Sequence, residues 1–199
     1  MTSRLALSAL AILGSAVTAD AQTTSAWAFQ CPSAGTSLET SVGSSIRFRG
    51  QSSEGGAVCL TAQGSRFLGL FPTTDGFYRA AGDRLNRLVS GGLDLRDVRP
   101  VTFQYFGINN FQDSISINER WTAADGGRVA TAAGSFSTVR VERQFEVVGS
   151  SWRYTQNVWL DRDTNMPVRV EFQHVNPLWP ATHQDWTAVE IQHRHLAGR

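Results

Sequence analysis

The chain has 199 residues, 41% of them hydrophobic, and its 18 basic and 17 acidic residues give a formal net charge of +1. All the basic residues are arginines. Schiff-base chemistry, Walker-type phosphate loops and Ser-x-x-Lys acylation sites, each of which needs a lysine, are therefore excluded. The nearly balanced charge argues against nucleic acid or an anionic membrane as the main partner.

The first 21 residues have the pattern of a secretory signal peptide. An uncharged, mainly apolar stretch from 5 to 17 follows Arg4, and it leads into Ala19-Asp20-Ala21, a small-x-small cleavage site. We therefore expect cleavage after Ala21 and a mature chain in the bacterial periplasm or outside the cell. No later stretch has the ~20 apolar residues that a transmembrane helix requires, so we expect no transmembrane segment in the mature chain.

Residues 22–72 are predicted to form a small β region held by a disulfide. Strands at 36–40 and 45–50 flank a Val-Gly-Ser turn, and a third strand at 58–61 brings Cys59 towards Cys31. In an oxidising compartment the only two cysteines of a chain most often pair, and closing a loop of about thirty residues contributes about 3 kcal/mol in the chain-entropy model. A redox or metal pair would need a Cys-x-x-Cys or a nearby histidine, and the sequence has neither.

Residues 73–199 are predicted to form one helix followed by an antiparallel meander, in one domain with 22–72. The helix covers about 75–89, where apolar residues recur at a spacing of three and four until Ser90-Gly91-Gly92: Tyr78, Ala81, Leu85 and Leu88. From residue 101 the apolar residues alternate with polar ones, as in strands with one buried face. The alternating sets are Ile115, Ile117 and Trp121; Val139, Val141, Phe145 and Val147; Trp152, Tyr154, Val158 and Leu160; and Val168, Val170 and Phe172.

Short turns at 125–127, 149–151 and 161–167 separate these strands, and a last strand is expected at about 184–193. The predicted fold class is mainly β (α+β): a curved antiparallel meander of at least six strands, with the helix either packed on its apolar face or closing its open side.

Parts of the sequence resemble a block found in uncharacterised exported bacterial proteins. They are Ala133-Gly-Ser-Phe-Ser-Thr-Val-Arg-Val-Glu142 and Met166-Pro-Val-Arg-Val-Glu171, with Tyr154 and Trp159-Leu-Asp161 between them, and the start Phe29-Gln-Cys-Pro32 with Gly35-Thr36 and Cys59. Such proteins have a curved antiparallel sheet similar in shape to the lipoprotein carriers of the Gram-negative envelope. The resemblance implies a fold and a compartment, and it supplies no catalytic residue.

Two groups of residues have metal-ligand spacing. Asp161, Asp163 and Asn165 match the start of a calcium loop, but Met166 and Phe172 stand where that loop needs a glycine and a bidentate glutamate. The late histidines could form a zinc-type set, but they lie near the C-terminus, where chains fray: His174, His183, His193 and His195, with Asp185 close by. We expect no metal and no other cofactor.

Evidence for catalysis is equally weak. There is no G-x-S-x-G nucleophile elbow, and the glutamates that could form a glycosidase pair fall on positions that the alternation places in water: Glu142, Glu171 and Glu190. Cross-strand pairing with Arg140 and Arg169 is the simpler account of two of them. We expect no catalytic residue, and the alternative of a secreted hydrolase or metal-dependent enzyme stays open.

Aromatic residues are abundant, with six tryptophans and eleven phenylalanines. Several fall on inward positions of the predicted sheet, where they either fill a core or line an apolar groove: Trp121, Phe145, Trp152, Tyr154 and Phe172. Trp179, between Pro177 and Pro180, is a second candidate contact, for a protein partner. The function expected is that of a non-catalytic envelope protein, which binds a lipid-like or other apolar small molecule, or an envelope protein, on its concave face.

Overall fold

The computed structural model describes residues 26–109, 111–175 and 183–193, and over these ranges the protein is mainly β. Among these residues, eleven strands form one antiparallel sheet, and one helix packs against it. The elements are β1 Ser37–Thr40, β2 Ser45–Gln51, β3 Val58–Thr61, β4 Gly64–Phe67, β5 Phe71–Pro72, α1 Gly76–Ser90, β6 Val101–Ile108, β7 Ser114–Thr131, β8 Gly134–Val147, β9 Arg153–Asp161, β10 Pro167–His174 and β11 Trp186–Gln192.

Two meanders, each paired in sequence order, are joined into this one sheet. Strands β6 to β11 form the first and β1 to β5 the second, and pairing of β1 with β11 gives the order β5-β4-β3-β2-β1-β11-β10-β9-β8-β7-β6. The predicted fold class is therefore confirmed. The helix predicted at 75–89 is α1, and the strands predicted at 36–40, 45–50, 58–61 and 184–193 are β1, β2, β3 and β11.

The turn predicted at 125–127 is wrong, because β7 continues through these residues to Thr131. The pairing of β7 with β8 shifts between Asp125 and Gly127, which is a β-bulge within a long hairpin. A Cβ on Gly126 would lie 2.4 Å from Thr138 Oγ1, so only glycine lets the two strands approach this closely. The short strands β4 and β5 were also not predicted.

The sheet curls strongly but stays open, with β5 and β6 as its two edges among the described strands. The ring of Trp121 in β7 contacts two rings from the opposite end of the strand order. Its centroid lies 5.8 Å from that of Phe67 in β4 and 5.2 Å from that of Phe71 in β5. We call the face that carries Trp121 the inner face. The curl brings both halves of the sheet onto one core.

Helix α1 closes this core. Its buried residues are Phe77, Ala81, Leu85, Leu88 and Val89, and it packs mainly on β6 and β7, where Phe77 stacks on Trp121 at 5.4 Å. Tyr78, predicted to face the core, packs against it while staying half-buried, and its hydroxyl accepts a hydrogen bond from Asn86. Within the described ranges, no helix is long and apolar enough to cross a membrane.

The predicted disulfide between Cys31 and Cys59 is present, with the two Cα atoms 5.3 Å apart. It ties the segment before β1 to β3 and closes a loop with a sequence separation of 28. This cross-link limits the freedom of the unfolded chain across the β1–β2 hairpin.

Candidate functional site

The inner face carries two apolar layers. The first is the core beneath α1. The second lies nearer the β6–β7 and β8–β9 turns and comprises Ile117, Phe145, Val147 and Tyr154, with Tyr105, Ile115 and Phe172 partly buried against it. Among the described residues, every buried residue of α1 belongs to the first layer and none to the second. We call the second layer the aromatic layer.

A row of polar side chains runs between the two layers. Tyr105, Glu119, Arg143 and Gln156 come from the four neighbouring strands β6, β7, β8 and β9, and the strand register puts them on the inner face beside apolar neighbours. We call these four residues the polar row. Glu119 and Gln156 are buried.

Glu119 is the centre of the row, and all of its acceptor sites are used. Its Oε1 accepts from Tyr105 Oη at 2.8 Å and from Arg143 Nη2 at 2.5 Å. Its Oε2 accepts from Trp121 Nε1 at 2.7 Å and from Arg143 Nε at 3.0 Å. A carboxylate has about four acceptor positions, so this buried charge is fully satisfied.

Arg143 is less completely used. Its guanidinium lies over rings of both layers, 4.8 Å from the centroid of Phe77 and 5.6 Å from that of Phe145. Only Nε and Nη2 bond to Glu119, and Nη1 makes no hydrogen bond among the described residues. The row therefore has spare donors on its cationic member, next to the aromatic layer.

Tyr105 in the polar row and Tyr154 beside it both stay protonated at physiological pH. Burial and the negative charge of Glu119 raise the pKa of Tyr105 far above its usual range. Burial also raises the pKa of Tyr154, although Arg143 opposes the shift. The Tyr154 hydroxyl makes no hydrogen bond among the described residues, so it is a second free donor close to Arg143.

The aromatic layer continues as a series of stacked rings. Phe145 stacks on Tyr154 at 4.8 Å, and His183, just before β11, lies 4.9 Å from Tyr154 and 4.7 Å from Phe172. Trp152 packs against Phe145 at 5.6 Å but is 42% exposed, so the layer opens to solvent at this end.

The five aromatic residues that the sequence predicted to fill a core or line a groove therefore fall into two groups in the structure. Trp121 is fully buried beneath α1 and belongs to the core. The other four lie together in or beside the aromatic layer: Phe145, Trp152, Tyr154 and Phe172. Trp179, the other candidate contact, lies outside the described residues.

The comparisons with known proteins leave the family open. No family model, no curated protein and no solved structure matches this chain. The resemblance to exported envelope proteins stays a prediction, and function has to be argued from the geometry of the site.

The residues that have metal-ligand spacing in the sequence make contacts with protein groups in the structure. Asp161 Oδ2 accepts hydrogen bonds from the backbone and hydroxyl of Thr164, as in an ordinary turn. His183 stacks against His174, with ring centroids 5.8 Å apart, while His193 is exposed and His195 lies outside the described residues. In the described ranges, no group of three or more His, Cys, Asp or Glu side chains could hold a metal ion.

The three glutamates considered for a glycosidase pair each have a local partner. Glu171 pairs with Arg169 on its own strand, so the predicted cross-strand Arg–Glu pairing is wrong for this residue. Glu142 accepts from Gln144, and Glu190 accepts from Gln192.

Two open clefts, of about 520 and 490 Å³, flank α1. Arg84 and Arg87 line both of them, and both side chains are exposed. Water already solvates such charges, so these clefts need no ligand to account for them. The buried polar row and the adjoining aromatic layer form the stronger candidate site.

The sequence does contain a signal for the polar row, in the alternation of strands β7 and β8. Glu119 shares its parity with Ile117 and Trp121, and Arg143 shares its parity with Val141 and Phe145. A charged residue at an inward position of two strands indicates a buried ion pair.

We expect stability to fall in mild acid because of His183. Burial lowers the pKa of this histidine, and the neighbouring His174 and the positive Arg143 act in the same direction. An unfolded histidine has a pKa of about 6.5, so between the two values the unfolded chain binds more protons. The unfolding free energy therefore decreases as the pH falls below about 6.5, until the pH passes the lower, folded pKa.

Urea midpoints measured at about pH 7.5 and about pH 5.5 check this expectation. His183→Phe keeps a stacking ring without a titrating group, so its midpoint should change less over this range. His193→Phe, at an exposed histidine, should behave like the wild type. Equal pH dependence in all three proteins would contradict the assignment.

Proposed function

We propose that this protein is a non-catalytic binding protein of the bacterial envelope or exterior, which holds an amphiphilic small molecule on its inner face. The apolar part of the ligand lies along the aromatic layer, and its polar head lies at the polar row. The observation that carries the proposal is an aromatic layer to which, among the described residues, no buried residue of α1 belongs, bordered by a largely buried arginine with unused donors.

The chemistry of the polar row indicates the kind of head group. Arg143 and Tyr154 offer hydrogen-bond donors, so the head needs acceptor oxygens. The charge of Arg143 is already balanced by Glu119, and Asp75, at the N-terminal end of α1, adds a negative charge within electrostatic range of Arg143. A free carboxylate would meet both acidic groups, so an uncharged ester, amide or hydroxyl head is favoured.

Binding of a fluorescent fatty acyl methyl ester in solution tests this function. We expect saturable binding by the wild type and weaker binding by Trp152→Ala and Phe172→Ala. Tyr154→Phe removes one donor and almost no volume, and should cost about 1 kcal/mol of affinity, or about fivefold in Kd. The corresponding free acid should bind less tightly than the ester.

Leu60→Ala is a matched control, because Leu60 is an exposed apolar residue on β3, away from the site. It should leave binding unchanged. No saturable binding of either probe by the wild type would refute the proposed function, and the aromatic layer would then be ordinary core.

The proposed location is tested separately. When the full chain is produced in a Gram-negative bacterium, we expect a periplasmic protein whose N-terminal sequencing begins at Gln22. Recovery of unprocessed chain from the cytoplasm would contradict export.

A further inference from the structure

Six of the large exposed apolar side chains lie at one end of the sheet. Phe106, Ile108 and Phe111 belong to the β6–β7 turn and the end of β6, and their exposures are 77%, 71% and 75%. The others border the β8–β9 turn and the end of β10: Val148, Trp152 and Val175. We call these six residues the apolar rim.

The strand register makes the rim continuous. Phe106 lies opposite Ser116 on β7, and the backbone N–H of Val148 donates to the carbonyl of the same Ser116. On the next pair of strands, the N–H of Val175 donates to the carbonyl of Arg153. The rim thus runs across β6 to β10, and Trp152, which contacts Phe145, connects it to the aromatic layer.

Among the described residues next to the apolar rim, charged side chains are few and have local partners. Glu146 and Arg153 are 3.9 Å apart, and Asp113 accepts a hydrogen bond from Asn109 at 3.2 Å. No basic cluster lies among these described turn residues to attract an anionic surface. Attachment at this end of the sheet would therefore depend on apolar contact.

We propose that the apolar rim docks the protein on a zwitterionic lipid surface. Trp152 lies on the inner side of the sheet, whereas Phe106 and Val148 lie on the outer side, so the rim projects from both faces at the turns. The turns at this end of the sheet can insert into a lipid interface with apolar side chains on both of their faces. A stable dimer with a second copy of the chain would instead need a contiguous patch of about 800 Å² on one face. Tryptophan and other large apolar residues are typical of membrane interfaces.

The continuity of the rim with the aromatic layer supports the same occupant. This argument rests on the proposed function, because it takes the lipid surface to be the source or destination of the bound amphiphile. A ligand that leaves the surface beside Trp152 would reach Phe145 and Tyr154 without crossing water.

Cosedimentation with phosphatidylcholine vesicles tests the docking. The rim variant carries Phe106→Ser, Ile108→Ser and Phe111→Ser, and the control variant carries Val42→Ser, Leu60→Ser and Val189→Ser, which are exposed apolar residues elsewhere. All proteins are produced as the full chain and processed alike, so residues 1–25 contribute equally. Urea unfolding confirms that each variant is folded.

We expect the wild type and the control variant to partition onto the vesicles at least about tenfold more strongly than the rim variant, at both about 0.15 M and about 1 M NaCl. Equal binding by the two variants, or none by the wild type, overturns the proposal. Binding only to anionic vesicles and only at low salt also overturns it. So does a wild-type dimer, formed without vesicles, that the rim variant abolishes.

Probe binding without vesicles separates the two proposals. The rim variant keeps the aromatic layer intact and should bind the acyl ester probe as the wild type does. If the rim variant loses vesicle binding and keeps normal probe binding, both proposals are supported, because docking then depends on the rim and probe binding does not. Vesicle binding without any probe binding would refute the proposed function and leave the docking surface in place.

Discussion

Replacing Glu119 by glutamine should lower the free energy of unfolding by about 3–5 kcal/mol, because the change leaves the largely buried Arg143 guanidinium without its counter-charge. The glutamine amide would also direct N–H donors at groups that are themselves donors, Arg143 and Trp121. For a chain of this length the loss corresponds to a fall in Tm of roughly 10 °C. Thermal and urea unfolding, followed by far-UV circular dichroism, measure it.

Glu146→Gln is the matched control. Glu146 faces Arg153 at 3.9 Å, and both side chains are about half exposed, so this pair should contribute less than about 1 kcal/mol. If both substitutions have similar small effects, Glu119 is not the buried centre that the structure shows.

A double variant separates stability from function. Glu119→Leu with Arg143→Met removes both charges and should be less destabilised than either single variant, because no charge stays unpaired. It should nevertheless lose affinity for the acyl ester probe, since the spare donors of Arg143 are gone. A double variant that binds the probe normally would remove the polar row from the proposed site.

Replacing Trp121 by alanine should cost about 3–5 kcal/mol of stability, because the side chain is fully buried among Phe67, Phe71 and Phe77. The cavity would lie at the contact between α1 and the two curled halves of the sheet. Trp121→Phe keeps most of the ring but removes the N–H that bonds Glu119, so it should cost about 1–3 kcal/mol.

Trp152→Ala provides the comparison, since Trp152 is aromatic, inward and 42% exposed. It should cost less than about 2 kcal/mol while weakening probe binding. Urea midpoints and probe titrations on the same preparations measure both effects. Equal stability losses at the two tryptophans would mean that Trp152 is core, and it would then be withdrawn from the site.

The sequence predicted the strands better than the site. Period-two alternation identified the strands of the meander because each has one buried face, and the glycines after Leu88 marked the end of α1. Strand β5 could not be predicted, because two residues are too few to show an alternation. The bulge at Gly126 could not be predicted, because Asp-Gly-Gly is also a common turn sequence. Only the pairing with β8 distinguishes a bulge from a turn at this position.

The polar row could be predicted in part. The parity of Glu119 and Arg143 places both on the inner face, but their contact depends on the register between β7 and β8. That register follows from where the hairpin turns, at 132–133, and the sequence indicated a turn at 125–127 instead. Because the turn was predicted at the wrong position, the register was wrong too, and the contact between Glu119 and Arg143 could not be predicted.

The two edges of the open sheet differ in a way that matters for handling the protein. Edge strand β5 consists of Phe71 and Pro72, and a short strand with a proline offers little to a pairing partner. Edge strand β6 is eight residues long, VTFQYFGI, with no charge and no proline. An uncharged edge strand of this length is a hazard for cross-β aggregation. Concentrated or partly unfolded protein should aggregate through β6, and a single lysine at Gln104, which lies on its exposed side, should suppress the process.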